Sequence, residues 1–138
     1  AAWRAARWPH GTLRLHGAEH AITLLAAINY ADTLGSLGRI AEARSLLRRP
    51  LPVARRVLGD SHELTLRVRW CYARALYKDA GATLDDLREA VKTLEEIKRI
   101  AQRVFGGVHP ITRGAEGDLR DARAELRARE TPPPPRSA

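Results

Sequence analysis

The sequence is poor in cysteine, methionine and aromatic residues, and each shortage narrows what the protein can be. A single cysteine, Cys71, among 138 residues excludes an internal disulfide and fits a reducing, cytoplasmic compartment. Aromatic residues make up 5% of the chain, so a core must be built mainly from Leu, Ala, Val and Ile. Methionine is absent, and we therefore expect the chain to be a processed product or a piece of a longer protein.

Long apolar runs and strand patterns are missing as well. The longest apolar stretch, residues 21–28, is far shorter than the roughly 20 residues that span a bilayer. No run of alternating β-branched residues predicts a strand, and no secretory signal pattern opens the chain. Ala, Leu, Arg and Glu dominate, and these residues favour helix. The sequence therefore predicts an all-α protein.

Signatures of enzymes are absent too. The chain has no Gly-x-Gly-x-x-Gly, no phosphate-binding loop and no His-Glu-x-x-His. Cys71 lies more than two helical turns from His62, so these two residues do not form a nucleophile–base pair. We predict that the protein is not an enzyme and that it has no cofactor and no metal site.

The net charge is +8, and 21 of the 24 basic residues are arginine. A balance of this kind is typical of proteins that bind nucleic acid or an anionic surface. Arg and Ala both have GC-rich codons, so genome composition alone could also produce it. Both interpretations stay open.

One pattern, Gly-x-x-His-x-x-Thr, occurs at residues 17–23, 59–65 and 106–112. We predict that each copy joins two helices, with the Gly in the positive-φ conformation of a C-cap and the His close to the next N-cap. At the second copy, Asp60 and Glu63 could form a capping box. A shared metal site is the alternative, but joints one repeat apart are about 10–20 Å from each other, and zinc ligands lie about 2 Å from one point.

The spacing of these copies, 42 and then 47 residues, is typical of stacked helix pairs. Helices are predicted over about 20–36, 40–58, 63–79, 84–105 and 110–130, with a bend or break at Pro50 and Pro52. The predicted fold is an antiparallel helix-pair solenoid of about two and a half repeats. Its parts are a remnant or cap of a preceding repeat (1–16), repeat 1 (17–58), repeat 2 (59–105), a capping helix (106–130) and a disordered proline-rich tail (131–138). On the capping helix, Arg120 and Arg123 replace small or apolar residues of the inner repeat.

Residues 29–47 and 54–62 resemble the tetratricopeptide repeat of the kinesin light chain type, and the resemblance extends over roughly residues 13–127. Its carriers are Asn29 and Ala31 in the first helix, Gly38, Glu42 and Ala43 at the turn, and Leu58, Gly59, His62 and Pro110 at the joints. The sequence departs from the repeat of that family at three places. Cys71 of repeat 2 stands at the position that Asn29 occupies in repeat 1, the turn between the helices of repeat 2 is longer, and Pro50 replaces the usual alanine of the second helix. The resemblance implies a scaffold that binds a peptide along its concave face.

The resemblance also implies the residues that line this concave face. They are Asn29, Asp32, Arg67, Trp70, Arg74, Tyr77 and Lys78. Because Arg67, Trp70, Arg74 and Lys78 are spaced by three, four and four residues, they share one face of a helix. A cationic face with an indole suits an acidic peptide that carries an apolar or aromatic anchor. In the other interpretation, Trp70 packs against the neighbouring helix and the arginines are solvated.

The predicted function is therefore a protein–protein interaction scaffold whose partner is another protein or peptide with an acidic segment. The alternative is a basic helical repeat that binds nucleic acid or another anionic surface. Its basic residues would be Arg44, Arg48, Arg49, Arg55 and Arg56. No aromatic residue is interleaved among them to stack on bases. A third interpretation is a structural segment that spaces other domains.

Overall fold

A computed structural model of the chain describes the backbone of residues 9–131 and 134–136, and the side chains of 20–131 and 134–136. This part of the chain forms six helices and no strand, which confirms the all-α class. The helices are α1 (Pro9–Ser36), α2 (Ile40–Leu47), α3 (Pro50–Leu58), α4 (Glu63–Lys78), α5 (Leu84–Phe105) and α6 (Pro110–Glu130). Within the described ranges, none is both long and apolar enough to span a membrane. The prediction for residues 1–8 falls outside the described residues, and so does the part of the tail prediction that concerns residues 132, 133, 137 and 138.

The predicted bounds of the last three helices are confirmed to within one residue. The predicted break at the prolines is confirmed too: α2 ends at Leu47, a turn follows, and α3 begins at Pro50. Proline has no amide hydrogen and a fixed φ, so it suits the first position of a new helix and not the middle of an old one.

The prediction for the first helix was wrong at its start. α1 begins at Pro9 instead of near His20 and continues through Gly17, so the first copy of the Gly-x-x-His-x-x-Thr pattern is not a joint. The residues between Gly17 and His20 are Ala18 and Glu19, which are strong helix formers. The other two copies have poor helix formers at these places, and there the chain does leave the helix.

The second copy joins α3 to α4, and each of its three fixed residues has a separate task. Gly59 has a φ of 89°, and its N–H donates to the Arg55 carbonyl. His62 is the N-cap of α4, where its Nδ1 accepts the N–H of Leu64 at 3.1 Å. The buried Thr65 hydroxyl donates to the Ala54 carbonyl of α3 at 3.1 Å. The prediction that this pattern is a structural joint is confirmed here.

The third copy joins α5 to α6 in the same way. Gly106 has a φ of 91°, and His109 Nδ1 accepts the N–H of Ile111 at 3.2 Å. The His109 ring also stacks on Phe105 with 4.5 Å between ring centroids. The Thr112 hydroxyl donates to the Gly106 carbonyl at 2.8 Å. The glycine and histidine contacts therefore match those of the second copy, whereas the threonine bonds to the carbonyl of the joint's own glycine and not to the preceding helix.

The predicted capping box at the second joint was wrong. Asp60 instead forms an ion pair with Arg55 at 2.8 Å, and the N-cap position belongs to His62. A complete capping box occurs at the start of α5, where the Thr83 hydroxyl and the Asp86 carboxylate each accept the other residue's backbone N–H. This box anchors the longer turn between α4 and α5.

The helix α4 lies between two apolar cores. It contributes to one core with α1, α2 and α3, and to the other with α5 and α6. The first core is built around Leu24, Ile28, Leu34, Leu47, Ala54 and Val68, and the second around Leu66, Leu76, Leu87, Leu94, Ile97 and Leu119. Every helix packs against the next one along the chain, and α4 also packs against α1, α2 and α6.

Candidate functional site

A cleft of about 450 Å³ lies where α4 faces the end of α1 and the start of α2. The volume is within the range of ligand sites, which is about 300–1,000 Å³. Its polar side chains come from α1 and α4, and α2 supplies an apolar wall. The lining residues are Ala31, Asp32, Gly35, Ser36, Ile40, Ala43, Cys71, Arg74, Ala75 and Lys78.

The middle of the cleft holds a contact between Cys71 of α4 and Asp32 of α1. The thiol donates to Asp32 Oδ1 with 3.6 Å between sulfur and oxygen. Burial and then the Asp32 carboxylate raise the pKa of the Cys71 thiol to about 12. The thiol is therefore protonated at neutral pH and acts as a hydrogen-bond donor, not as a nucleophile.

Two cations, Arg74 and Lys78, stand on the α4 side of the cleft one helical turn apart. Lys78 is exposed and forms no ion pair with any residue that the structure describes. The Arg74 guanidinium lies over the Trp70 ring, with 5.9 Å from Cζ to the ring centroid. Its Nε is 3.4 Å from Asp118 Oδ2, within ion-pair distance, but the angles do not make a hydrogen bond and Nε has no other acceptor. Arg74 thus keeps unused donors beside the cleft.

Asp118 of α6 lies next to Arg74 and contacts several side chains of α4. Its carboxylate is 8% exposed and accepts the Trp70 Nε1–H at 2.5 Å and the Tyr77 hydroxyl. Burial and this hydrogen bond raise the pKa of Tyr77. The Trp70 ring also lies so close to Gly114 that a Cβ there would overlap it. Asp118 and Gly114 therefore fix Trp70 against α6.

The structure divides the seven residues that the resemblance implied into three groups. Asp32, Arg74 and Lys78 come together in the cleft. Trp70 and Tyr77 contact Asp118, with Trp70 half-buried and Tyr77 buried. The exposed Asn29 and the half-buried Arg67 do not line the cleft.

Two residues of this region, Cys71 and Asp118, were missed as contacts between helices. The repeat itself carries the signal, because Asp118 lies 47 residues after Cys71, the same shift that relates the two joints. Cys71 contacts α1 through Asp32, and Asp118 contacts α4 through Trp70 and Tyr77. Positions 71 and 118 are equivalent under this shift, and each makes a polar contact with an earlier helix: Cys71 with α1 and Asp118 with α4.

The five arginines of the nucleic-acid alternative differ in whether they have an ion-pair partner among the described residues. Arg44 pairs with Asp86 at 3.0 Å, and Arg55 pairs with Asp60. The other three are exposed and have no ion-pair partner in the described part of the chain; they are Arg48, Arg49 and Arg56.

Among the described residues, the cleft and the contacts of Asp118 are therefore the features that bear on function. The histidines of the two joints do not converge, because each accepts the amide of its own helix. No group of three or more metal-ligating side chains is present among the described residues. No family model, curated protein or solved structure matches this chain.

Proposed function

We propose that the protein is an interaction scaffold that binds a peptide segment of another protein in the cleft between α1 and α4. We also propose that its helices form a solenoid of the tetratricopeptide kind. The packing of each helix on the next supports this arrangement, and so does the use of the same positive-φ glycine and the same histidine cap at the joints before α4 and α6. The free thiol of Cys71 fits the cytoplasmic location that we propose.

The observation that carries this proposal is the cleft itself. Its two polar walls come from α1 and α4, the first helices of the two proposed repeats, and it brings together Asp32, Arg74 and Lys78. A peptide offers both backbone N–H groups and side-chain charges. The Asp32 carboxylate can accept a peptide N–H while the two cations hold a carboxylate of the same peptide.

The charges of the cleft favour an acidic segment. Two cations face it against one carboxylate, and Lys78 pairs with no carboxylate in the described part of the chain. Arg74 is held from below by Trp70 and Asp118, so it loses little freedom when it binds. In this proposal Trp70 acts through Arg74 and does not need to insert into the ligand.

The test is a screen of fluorescein-labelled acidic peptides and their scrambled versions by fluorescence polarisation. The tightest peptide is then titrated against Lys78→Glu, with Lys92→Glu on α5 as the control for the same charge change. Both lysines are exposed, so neither substitution opens the core; because Lys92→Glu places a like charge one turn from Glu96, a thermal melt of each variant accompanies the titration. We expect about a tenfold or greater loss for Lys78→Glu and less than a twofold change for Lys92→Glu.

Two outcomes would contradict the proposal. One is a screen in which no acidic peptide binds better than its scrambled version. The other is an equal loss in the two lysine variants, which would mean that overall charge governs binding.

A further inference from the structure

A second groove, of about 430 Å³, lies between α5 and α6 and shares no lining residue with the cleft. Its apolar floor is Leu119, and its walls are basic. The charged lining residues are Lys98, Arg99 and Arg103 from α5, Arg123 from α6, and the single carboxylate of Glu95. Four cations less one carboxylate leave a net charge of +3 in this groove.

These cations are poorly compensated within the protein. Arg123 pairs with Glu95 at 2.9 Å, and that pair uses the only carboxylate of the groove. Lys98, Arg99 and Arg103 form no ion pair and no side-chain hydrogen bond with the residues that the structure describes, although Arg99 is near enough to Glu96, the partner of Arg69, to help lower its pKa. Like charges on one face repel each other, so this arrangement favours the binding of an anion.

The repeat indicates that the groove is more than a solvated end of the helix stack. By the shift of 47 residues, Arg120 and Arg123 of α6 take the places of Ala73 and Leu76 of α4, both fully buried. An end that only has to face water needs polar residues of either sign. In this groove cations outnumber carboxylates four to one, and an end that only faces water does not need this excess of positive charge.

We propose that this groove binds the phosphate backbone of a nucleic-acid duplex without recognising its base sequence. The guanidinium and ammonium groups are suited to phosphate oxygens. No aromatic side chain lines the groove, so unpaired bases would find nothing on which to stack. A duplex keeps its bases stacked on each other and needs only its phosphates neutralised. This inference does not depend on peptide binding in the cleft.

The test is a titration of a fluorescein-labelled 20-base-pair DNA duplex by fluorescence anisotropy between 50 and 200 mM salt. Each neutralised phosphate contributes about −0.9 to the slope of log K against log salt, so the three cations without an ion pair predict a slope of about −2.7. Two duplexes of unrelated sequence should bind equally well. Lys78→Glu should leave duplex binding within about twofold of the parent, which separates this groove from the cleft.

Paired variants locate the site. Arg99→Gln/Arg103→Gln removes two groove cations, and Arg48→Gln/Arg49→Gln removes the same charge from the turn between α2 and α3. For the groove variant we expect at least a tenfold loss of affinity at 50 mM salt and a slope smaller by about 1.8, which is two contacts at about 0.9 each. For the control we expect less than a twofold loss.

Any of four results would overturn the proposal. They are no duplex binding up to about 100 μM protein at 50 mM salt, an equal loss in both double variants, tighter binding of a single strand than of the duplex, and binding of phosphatidylserine vesicles but not of the duplex. The second result would mean diffuse attraction, the third would mean base recognition, and the fourth would mean a membrane contact.

Discussion

Trp70 of α4 donates its indole N–H to the Asp118 carboxylate of α6, at 2.5 Å and across 48 positions of the sequence. Tyr77, two turns further along α4, donates its hydroxyl to the same carboxylate. Asp118 therefore fixes α4 against α6 at two places. Since Arg74 lies over Trp70 and lines the cleft, this contact also sets the position of a cleft residue.

The contact predicts that Asp118→Ala destabilises the fold by about 2–4 kcal/mol. The substitution leaves the Trp70 and Tyr77 donors without an acceptor in a poorly hydrated place, and each such donor costs about 1–3 kcal/mol. Asp121→Ala, on the exposed face of α6, is the control and should change stability by less than about 0.5 kcal/mol. Urea unfolding followed by circular dichroism measures both. Equal midpoints for the two variants would mean that the Asp118 contacts contribute nothing.

Two glycines of α6 make a matched pair for a second prediction. A Cβ at Gly114 would overlap the Trp70 ring, whereas a Cβ at Gly117 would meet no atom within 4 Å. Alanine is the better helix former by about 1 kcal/mol, so Gly117→Ala should stabilise the protein by up to that amount. Gly114→Ala should destabilise it by about 1–2 kcal/mol, because overpacking costs more than the helix gains. Thermal melts that shift in the same direction for both variants would show that Trp70 does not constrain α6.

The helix ends were predictable from the sequence, whereas the contacts of Trp70 with Asp118 and Gly114 were not. The joints before α4 and α6 were predictable because their signals are local: a glycine that tolerates positive φ, a histidine cap and a threonine hydroxyl within seven residues. The same pattern failed at Gly17, where Ala18 and Glu19 keep the backbone helical. The pattern alone does not determine whether the helix stops.

The cleft was predictable only in part. The helical spacing on α4 placed Arg74 and Lys78 on one face, and both line the cleft with Asp32. The same spacing could not reveal that Trp70 is held by Asp118, because a contact across 48 residues depends on how α6 packs on α4. Local patterns determine which residues share a face, and tertiary packing decides what that face touches.

The joint chemistry gives a third prediction. His62→Ala removes the acceptor of the Leu64 N–H at the start of α4 and should cost about 1 kcal/mol. His62→Asp supplies a carboxylate that can accept the same N–H and interacts favourably with the positive end of the helix dipole. This variant should therefore recover most of the stability that His62→Ala loses. Urea unfolding at pH 7 measures both variants. If aspartate were as destabilising as alanine, the histidine would act by packing and not as a cap.

The cleft thiol gives a fourth prediction. The pKa of Cys71 is raised from 9 to about 12, which lowers the thiolate fraction near pH 8 by about a thousandfold relative to an unfolded chain. Iodoacetamide should therefore alkylate the native protein far more slowly than the protein in 8 M urea, as mass spectrometry would show. Asp32→Asn removes one of the groups that raise the pKa and should speed the native reaction. Equal rates with and without urea would mean that the thiol is neither buried nor held by Asp32.

The last prediction concerns acid. The Arg69 side chain is almost completely buried, and its Nη2 pairs with Glu96 Oε2 at 2.5 Å. This partner lowers the pKa of Glu96 below its ordinary 4.5. Because the folded pKa lies below the unfolded one, the pair's stabilisation is complete above about pH 4.5 and is lost as pH falls through the folded value. Asp86 changes in the same direction, since the Thr83 N–H and then Arg44 lower its pKa.

Stability should therefore fall as the pH drops from about 5 towards 3, and Glu96→Gln should remove part of that fall. At pH 7 this variant should be less stable than the parent by about 1.5–3 kcal/mol, the range for a hydrogen bond to a charged group. The difference should shrink as the pH falls below about 4.5 and the parent's carboxylate becomes protonated. Glu89→Gln is the control, because Glu89 is exposed and has no ion pair in the described part of the chain. Urea titrations at several pH values would contradict this account if the parent and Glu96→Gln profiles stayed parallel until the parent unfolds in acid, since Arg69 would then be stabilised by something other than the Glu96 charge.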